Sequence, residues 1–378
     1  MIHLAVGWTQ STISNGSRTS SSSAYLTPNL HRLNLDVVVN AQATRLVETH
    51  REDGLPSFQA VEFARSATSE RFVVNATKEV ILSAGSVASP QLLMLSGIGP
   101  SAQLEAVGIQ TIVDAPSVGQ NLQDHPLLSN FWSVNSTGYF TIDDIRRNTT
   151  LFNELMAEWQ AERQGMFVLG NPNQLGWKRV PSNASIFDTV PDPSSGPFSP
   201  HIEMLPFNGW VSYVNPPPAT GHYLTMYLAM VSPASRGNIT LASSDPFIYP
   251  IIDPNLLGHE FDKYAMRFAI NASRAFTAAQ AWKGWIIGEA GDLPNVHTIE
   301  ELDAYAANNT ANIFHPAGTV AIDFVGGQGV LNSNLTVKGT RGLRVVDLSV
   351  VPFIPEAHPQ GAAYVIAERA SDLIKASH

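Results

Sequence analysis

The sequence has 378 residues, of which 14% are charged and 44% are hydrophobic, and it contains no cysteine. This composition indicates a globular protein with a large core, and it excludes a disordered chain, a disulfide framework and thiolate chemistry. The formal net charge of −10, without any basic stripe, argues against nucleic-acid binding, and no apolar run reaches the roughly 18 residues of a membrane span.

The first hundred residues are predicted to contain mainly strands. Residues 1–24 are rich in Ser, Thr and Gly, which is typical of a linker or of a helix cap. The predicted strands are 35–40, 44–47, 59–63, 71–75 and 79–83. A glycine turn and a helix over 91–96 follow, with Pro90 in the first turn. The turn at 83–86 lies at the carboxyl end of a strand, where it could equally contact a nucleotide or only connect strand and helix.

Two short motifs in the first third have weak functional value. Residues 97–102 match G-x-G-x-x-A, but they follow a predicted helix and contain a proline, so we reject a dinucleotide-binding turn. Asp124 and His125 could form an acid/base pair. Because adjacent residues seldom share one small site, a structural, hydrogen-bonded histidine is the better interpretation.

The middle of the chain, residues 127–325, has a different character, with many aromatic residues and Pro/Gly/Asn-rich loops. The predicted elements are a helix at 151–164, strands at 223–231 and 238–241, and a helix at 261–276. We expect a second domain with a mixed antiparallel sheet. Most rings there are predicted to be core, but Phe207 and Tyr213 lie in a loop-rich stretch suited to the wall of a ligand pocket.

The last stretch, residues 343–375, predicts a strand, a loop and an amphipathic helix. The strand delivers Asp347 to a loop that holds His358, and the helix begins at Gly361. A strand end and a helix N-terminus bring N–H donors together, which favours an electron-rich ligand group. A second histidine, His315, lies in the run FHPAGT (314–319), so two imidazoles could converge on one ligand.

Nine N-x-[ST] sequons predict a secreted glycoprotein, with chance occurrence as the alternative. They begin at Asn15, Asn75, Asn135, Asn148, Asn183, Asn238, Asn271, Asn308 and Asn334. The amino terminus has neither a basic region nor a long apolar stretch, so it is not a signal peptide. We therefore expect a signal to be missing from this sequence.

Several runs together resemble the glucose–methanol–choline (GMC) oxidoreductases, and most of all their fungal aryl-alcohol oxidase branch. The most specific run is GSVASPQLLMLSGIGP at 85–100, which is similar to the second signature of the family. The other runs are 118–125, 314–319, 343–375, and, near the beginning, 7–12 and 18–26. The resemblance covers nearly the whole chain, but the G-x-G-x-x-G unit that binds the ADP half of FAD in this family is not in it.

The resemblance implies an α/β fold of mixed α+β character. Residues 1–126 would be the carboxy-terminal part of the FAD-binding, Rossmann-like domain, which is incomplete because it lacks the G-x-G-x-x-G unit. Residues 127–325 would be the substrate-binding domain, with a mixed antiparallel sheet and helices, and 326–378 would return to the FAD-binding domain. We expect the sequence to be an amino-terminally truncated member of the family.

The resemblance also implies FAD as cofactor and a catalytic pair of histidines, with no metal. His315 aligns with the catalytic base of the family, and His358 with its hydrogen-bonding partner. The implied flavin contacts are Asp347, Leu348, Pro359 and Gln360, and the implied adenosine contacts are Ala43, Ser83, Ala84 and Gly85. Phe314, Phe207 and Tyr213 are the candidates for the substrate pocket.

The implied function is oxidation of aromatic or other primary alcohols to aldehydes, with O2 or a quinone as acceptor. We expect a monomer without nucleic-acid or membrane partners. Two alternatives stay open: a non-catalytic remnant that does not retain FAD, and a hydroxynitrile lyase that uses flavin only structurally. The intact pair of His315 and His358 favours catalysis, and the missing ADP-binding unit favours the remnant.

Overall fold

The computed structural model describes residues 5–170, 172–323 and 328–378, and the chain divides into two compact units. Unit 1 comprises Met1–Val37, Pro126–Pro233 and His259–Ile313; unit 2 comprises Val38–His125, Ala234–Gly258 and Phe314–His378. One change between the units lies at residue 126, beside a predicted boundary. Residues 1–37 and 234–258 group differently from the predicted division, and the last change lies at residue 314 rather than 326. The division of the chain into a FAD-binding and a substrate-binding domain, with boundaries at 126 and 325, stays a prediction.

The described residues form eighteen strands and seven α-helices. The strands are β1 (Ala5–Trp8), β2 (Ile13–Ser14), β3 (Ser17–Arg18), β4 (Gln42–Glu52), β5 (Leu55–Ala64), β6 (Phe72–Asn75), β7 (Val80–Leu82), β8 (Ile98–Gly99), β9 (Val113–Asp114), β10 (Pro126–Val134), β11 (Gln174–Lys178), β12 (Ile202–Phe207), β13 (Tyr223–Met230), β14 (Asn238–Thr240), β15 (Ile251–Asp253), β16 (Ile286–Ala290), β17 (Thr310–Asn312) and β18 (Leu343–Val345). The helices are α1 (Gly85–Leu95), α2 (Ser101–Ala106), α3 (Ile142–Arg147), α4 (Thr149–Glu162), α5 (Glu260–Thr277), α6 (Ile299–Asn309) and α7 (Gln360–Ser377).

Unit 1 is built on a seven-stranded antiparallel sheet. Its strand order is β1-β11-β12-β13-β10-β16, and β17 pairs with β10 beside β16. Helix α5 packs on β12 and β13 and buries Phe261, Ala265 and Ala269, which are four residues apart and therefore share one helix face. The antiparallel sheet with packed helices confirms the fold predicted for this part of the sequence.

Unit 2 joins an antiparallel meander to a short parallel pair of strands. Strands β4, β5 and β6 form the meander, and β7 pairs in parallel with β18, so that Val80 lies opposite Leu343. Helix α1 follows β7, and Leu93 and Met94 of this helix are fully buried in the same core as both parallel strands. The two parallel strands therefore end on one side of this core, where the loops that carry the predicted site begin.

Most of the predicted elements are confirmed. The observed bounds either contain the predicted range or differ from it by at most two residues. This holds for strands β4 to β7 and β18 and for helices α4, α5 and α7. The strand predicted at 35–40 is wrong, because no strand is assigned there in the described chain. Val38 and Val39 are 69% and 70% exposed. A β-branched run forms a strand only where another strand pairs with it.

The described part of the Ser- and Thr-rich stretch, from residue 5 onwards, forms secondary structure and is not a linker. Strands β2 and β3 form a two-residue hairpin around Asn15 and Gly16, whose φ angles are +49° and +67°. Asn-Gly is the preferred pair for such a turn, because both positions need a positive φ. Residues Ser22–Leu26 then form a helical turn, and the side chain of the preceding Ser21 makes no capping hydrogen bond to it.

Helix α1 begins at Gly85, earlier than predicted, so that Pro90 lies in its interior. A proline inside a helix has no N–H to donate to the carbonyl four residues earlier, here that of Ser86. The Thr319 hydroxyl donates to this Ser86 carbonyl oxygen at 2.7 Å, and Thr319 is fully buried. The helix can therefore continue through the proline, because a side chain from a distant loop satisfies the freed carbonyl.

Candidate active site

Three loops of unit 2 converge at the ends of the parallel strands. They are the turn 119–125, the loop 314–319 and the loop 347–359. Gln123 and Ala317 exchange both backbone hydrogen bonds, at 3.0 and 2.9 Å, which fixes the first two loops side by side. The N–H of Gly318 donates to the Leu348 carbonyl at 3.1 Å, which attaches the third loop.

Side-chain amides of the turn 119–125 reinforce this arrangement. Asn121 and Gln123 both donate to the Pro352 carbonyl, at 3.2 and 3.1 Å, and the Gln123 side-chain oxygen accepts from the N–H of Ile354. Gly318 has a φ of +88°, and a Cβ there would lie 2.7 Å from the Asn121 carbonyl oxygen. The close approach of the loops therefore requires glycine at this position.

The loops bring three histidines into a row. The rings of His315 and His358 have centroids 5.1 Å apart and are nearly perpendicular, at 82°. On the other side of His315, the His125 Nδ1 atom lies 3.0 Å from the His315 Nδ1 atom. His125 is buried, His315 is half-buried and His358 is exposed, so the row leads from the interior to the surface. The two imidazoles predicted to converge do so.

Asp124 holds two members of this row by their backbones. Its Oδ1 atom accepts from the N–H of His125 at 2.8 Å and from the N–H of His315 at 2.9 Å. The preceding residue, Phe314, has a φ of +59°, and its ring is 65% exposed. A left-handed phenylalanine is uncommon and costs free energy, so the hydrogen bonds of the surrounding loops must hold Phe314 in this conformation.

The environment of His315 determines its protonation. Burial, and secondarily the neighbouring His358, lower the pKa of His315 to about 4. Both effects disfavour the imidazolium form. His315 is therefore neutral at pH 7 and has a lone pair on one ring nitrogen, as a proton acceptor must.

The Asp347 carboxylate joins the loop 347–359 to the start of helix α1. Its Oδ2 atom accepts from the N–H of Gly85 at 2.9 Å and from the Ser89 hydroxyl at 2.6 Å, and its Oδ1 atom accepts from the N–H of Ser349 at 2.8 Å. The side chain predicted to contact flavin is thus engaged inside the protein. A contact of Asp347 or Leu348 with flavin through the backbone stays a prediction.

Four of the remaining predicted cofactor positions of unit 2 are exposed. Ala43 in β4, and Ser83 and Ala84 after β7, are exposed, and so is Gln360 at the start of α7. Helix α7 has 18 residues and no acidic side chain in its first turn, so no carboxylate of that turn offsets the positive end of the helix dipole. This helix N-terminus fits the electron-rich pyrimidine edge of a flavin. Pro359, at the N-cap of this helix, is buried.

Phe207 and Tyr213 belong to unit 1, apart in sequence from the three histidine loops. Both lie beside Tyr227, with ring centroids 4.6 Å from Phe207 and 6.1 Å from Tyr213. Burial raises the pKa of Tyr227 well above its usual value, so its hydroxyl stays protonated. The role of Phe207 and Tyr213 in a substrate pocket stays a prediction.

No group of three or more His, Asp or Glu side chains in residues 5–170, 172–323 and 328–378 is arranged to hold a metal ion.

His125 is a buried, hydrogen-bonded histidine, which agrees with the interpretation of the sequence, but its ring partner was not predictable. The sequence presented it as the neighbour of Asp124, and adjacency argued against a shared site. In the structure the Asp124 carboxylate binds backbone N–H groups, while the His125 ring contacts a histidine 190 residues further along the chain. A local sequence pattern carries no signal for such a contact.

Within the described ranges, no helix combines the length and the apolar character needed to cross a membrane.

Comparison with protein families identifies the class of this chain. Sequence profiles for the N-terminal and C-terminal parts of the GMC oxidoreductases match residues 3–127 and 233–367. The chain therefore belongs to the GMC oxidoreductase family, whose members are FAD-dependent oxidoreductases. The predicted family, fold class and cofactor are confirmed.

Curated relatives and solved structures agree with this family. Pyranose dehydrogenase 2 of Leucoagaricus meleagris is 37% identical over 99% of this chain and 62% of its own length. Dehydrogenase eriK of Hericium erinaceus is 36% identical over 99% and 63%. The structure of formate oxidase from Aspergillus oryzae has a TM-score of 0.86 and 30% identity over 97% and 64%. The chain spans about 62–64% of the length of these relatives.

The predicted aryl-alcohol branch has weaker support than the family. The structure of a fungal aryl-alcohol oxidase covers 98% of this chain with a TM-score of 0.80, but it is only 26% identical. The pyranose dehydrogenase above is 37% identical. The comparisons therefore establish the GMC oxidoreductase family, and the substrate is a matter for proposal.

Proposed function

We propose that this chain forms the proton-accepting part of a FAD-dependent enzyme that oxidises a CH–OH group to a carbonyl. The observation that supports this most directly is the row of histidines, in which His315 is neutral with a pKa of about 4 and His358 lies beside it at the surface. Oxidation of an alcohol to a carbonyl requires a base that takes the hydroxyl proton and an acceptor that takes the carbinol hydrogen.

Each residue of the site has a defined task in this proposal. His315 accepts the hydroxyl proton, and the exposed His358 donates a hydrogen bond to the alcohol oxygen and orients it. FAD, when bound, would supply the acceptor for the carbinol hydrogen, which leaves as hydride. Pro359 and Gln360 would help to hold the flavin, and the N–H groups at the start of helix α7 would offset negative charge on it. Ala43, Ser83, Ala84 and Gly85 would contact the adenosine end.

A substrate with a ring suits the exposed surface of this unit best. Two exposed phenylalanines lie near the histidines in the chain. Phe314 precedes His315 and is 65% exposed, and Phe353 lies in the same loop as His358 and is 61% exposed. Such rings favour flat or ring-shaped substrates through stacking. We propose a primary aromatic alcohol as substrate, with O2 as acceptor and a monomeric enzyme. A pyranose with a quinone acceptor is the second candidate, because pyranose dehydrogenases are 35–37% identical to this chain.

The test is to purify the protein with added FAD and to record its visible spectrum. We expect a protein-bound flavin band that bleaches anaerobically on addition of a benzylic alcohol or a pyranose. Re-oxidation by air and by benzoquinone then separates an oxidase from a dehydrogenase. The control is His50→Gln, which removes an exposed histidine of the same unit. If no flavin is retained, the chain is a non-catalytic remnant; if flavin is retained and no alcohol or sugar bleaches it, oxidation of CH–OH is wrong.

We also propose that the protein is secreted and glycosylated. Eight of the nine sequon asparagines are exposed, and the ninth, Asn238, is half-buried, so the side chains are accessible to a glycan. The natural protein should be found in the culture medium of its source organism and should lose mass when an endoglycosidase is added. Recovery of the protein only from the cells, at the mass of the bare polypeptide, would contradict the proposal.

A further inference from the structure

His125 is the most deeply buried member of the row, at 1% exposed. Its ring is perpendicular to that of His315, at 85°, with centroids 5.2 Å apart, and the two Nδ1 atoms are 3.0 Å apart. The Asp124 carboxylate fixes the backbones of both residues with one oxygen atom. The contact between the two rings is thus held in place from the backbone.

Two ring nitrogens at 3.0 Å form a hydrogen bond only if one carries a proton and the other does not. There are two arrangements. If His125 donates, the neutral His315 ring carries its own proton on Nε2 and has no lone pair left for an alcohol. If His315 donates through Nδ1, its Nε2 atom keeps the lone pair.

We propose that His125 is a positioning residue: its Nδ1 atom accepts a hydrogen bond from His315 Nδ1–H and thereby makes His315 Nε2 the basic atom. This inference rests on the proposed role of His315 as proton acceptor. The alcohol proton moves to Nε2, and the His315 ring becomes an imidazolium with both nitrogens protonated. The proton on Nδ1 stays where it is, and no proton moves to His125.

The hydrogen bond to His125 strengthens during this step. Once His315 is positively charged, its Nδ1–H bond to His125 becomes charge-assisted, and such bonds are about twice as strong as neutral ones. His358 opposes the same charge, because it contributes to the low pKa of His315. His125 therefore favours the protonated state that the reaction forms, and the buried position of its ring excludes water as a competing acceptor.

The direct test is nitrogen NMR of the wild-type protein with isotope-labelled histidine rings, at neutral pH and without FAD. The sequence has eleven histidines, and the signals of His315 are identified by their loss in His315→Gln. We expect Nδ1 of His315 to be protonated and Nε2 to be bare. A proton found on Nε2 would overturn the proposal, whatever the variants do.

Two substitutions of His125 add a second readout. His125→Leu removes the acceptor, and we expect mixed tautomers of His315 and a loss of about 10- to 100-fold in kcat with KM little changed, the range seen for partners that orient functional histidines. His125→Asn offers an amide oxygen close to the place of Nδ1 and should restore the tautomer and most of kcat. Equal tautomers and rates in wild type and His125→Leu would refute the inference.

The outcomes separate this inference from the proposed function. If His315→Gln does not slow oxidation, the role of His315 as base fails irrespective of its tautomer. If His315→Gln abolishes oxidation while the NMR spectra show the proton on Nε2, the function stands and the role of His125 is wrong.

Discussion

Replacing His315 by glutamine should lower kcat for alcohol oxidation by about a hundredfold or more, the lower end of what a general base contributes. Glutamine keeps a polar side chain of similar length, but its amide cannot take a proton. The ring contacts of His315 with His125 and His358 involve side chains only, so the backbone bond to Asp124 remains. The rate is measured as anaerobic bleaching of bound flavin. A rate within threefold of wild type, about 0.7 kcal/mol in barrier height, would remove His315 from the mechanism.

The same substitution should also change how stability depends on pH. The folded pKa of His315, about 4, is lower than its usual 6.5, so between these values the unfolded chain binds a proton that the folded chain does not. Stability due to this group is therefore complete above pH 6.5 and is lost as the pH falls towards 4, by at most about 3 kcal/mol. Urea unfolding at about pH 7 and about pH 4.5 should show a smaller loss in His315→Gln than in wild type or His50→Gln. Equal losses in all three proteins would contradict the shifted pKa.

The sequence predicted the parts of this site that depend on local pattern. The strand, loop and helix of 343–375 and the run 314–319 are each defined by their own residues, and the structure forms them and brings His315 to His358. Prolines, glycines and β-branched residues act on the backbone nearby, so their signal is visible in a short window. This explains why the elements carrying both histidines were predictable.

Features that depend on distant partners were not predictable from the pattern. Helix α1 runs through Pro90 because Thr319, 233 residues after Ser86, satisfies the freed carbonyl. The valine-rich stretch at 35–40 has the composition of a strand but no strand pairs with it. His125 gained its place beside His315 by the same kind of long-range contact. In each case tertiary structure, not propensity, decides the outcome.

Replacing Asp347 by alanine should destabilise unit 2 by about 3 kcal/mol, because it removes a half-buried carboxylate that accepts three hydrogen bonds, and bonds to a charged group contribute about 1.5–3 kcal/mol each. The substitution leaves the N–H groups of Gly85 and Ser349 and the hydroxyl of Ser89 without their carboxylate acceptor. Urea unfolding measures the loss. The matched control is Asp372→Ala, whose carboxylate pairs with Lys375 on the surface, at 66% and 73% exposed, and which should change stability by less than about 1 kcal/mol.

The Asp347 carboxylate also joins the two predicted ends of the cofactor site, because Gly85 belongs to the adenosine side and Leu348 to the flavin side. Ser89→Ala removes one of the three hydrogen bonds of the carboxylate, together with the bond that the Ser89 hydroxyl accepts from the N–H of Ala84 at 3.2 Å, and leaves both backbone attachments to the carboxylate. If the carboxylate sets the distance between the two sides, Asp347→Ala should weaken FAD retention far more than Ser89→Ala, even in solutions where both variants are fully folded. Flavin released on dilution, measured by fluorescence, gives this comparison. Equal retention in the two folded variants would show that Asp347 stabilises the fold without shaping the cofactor site.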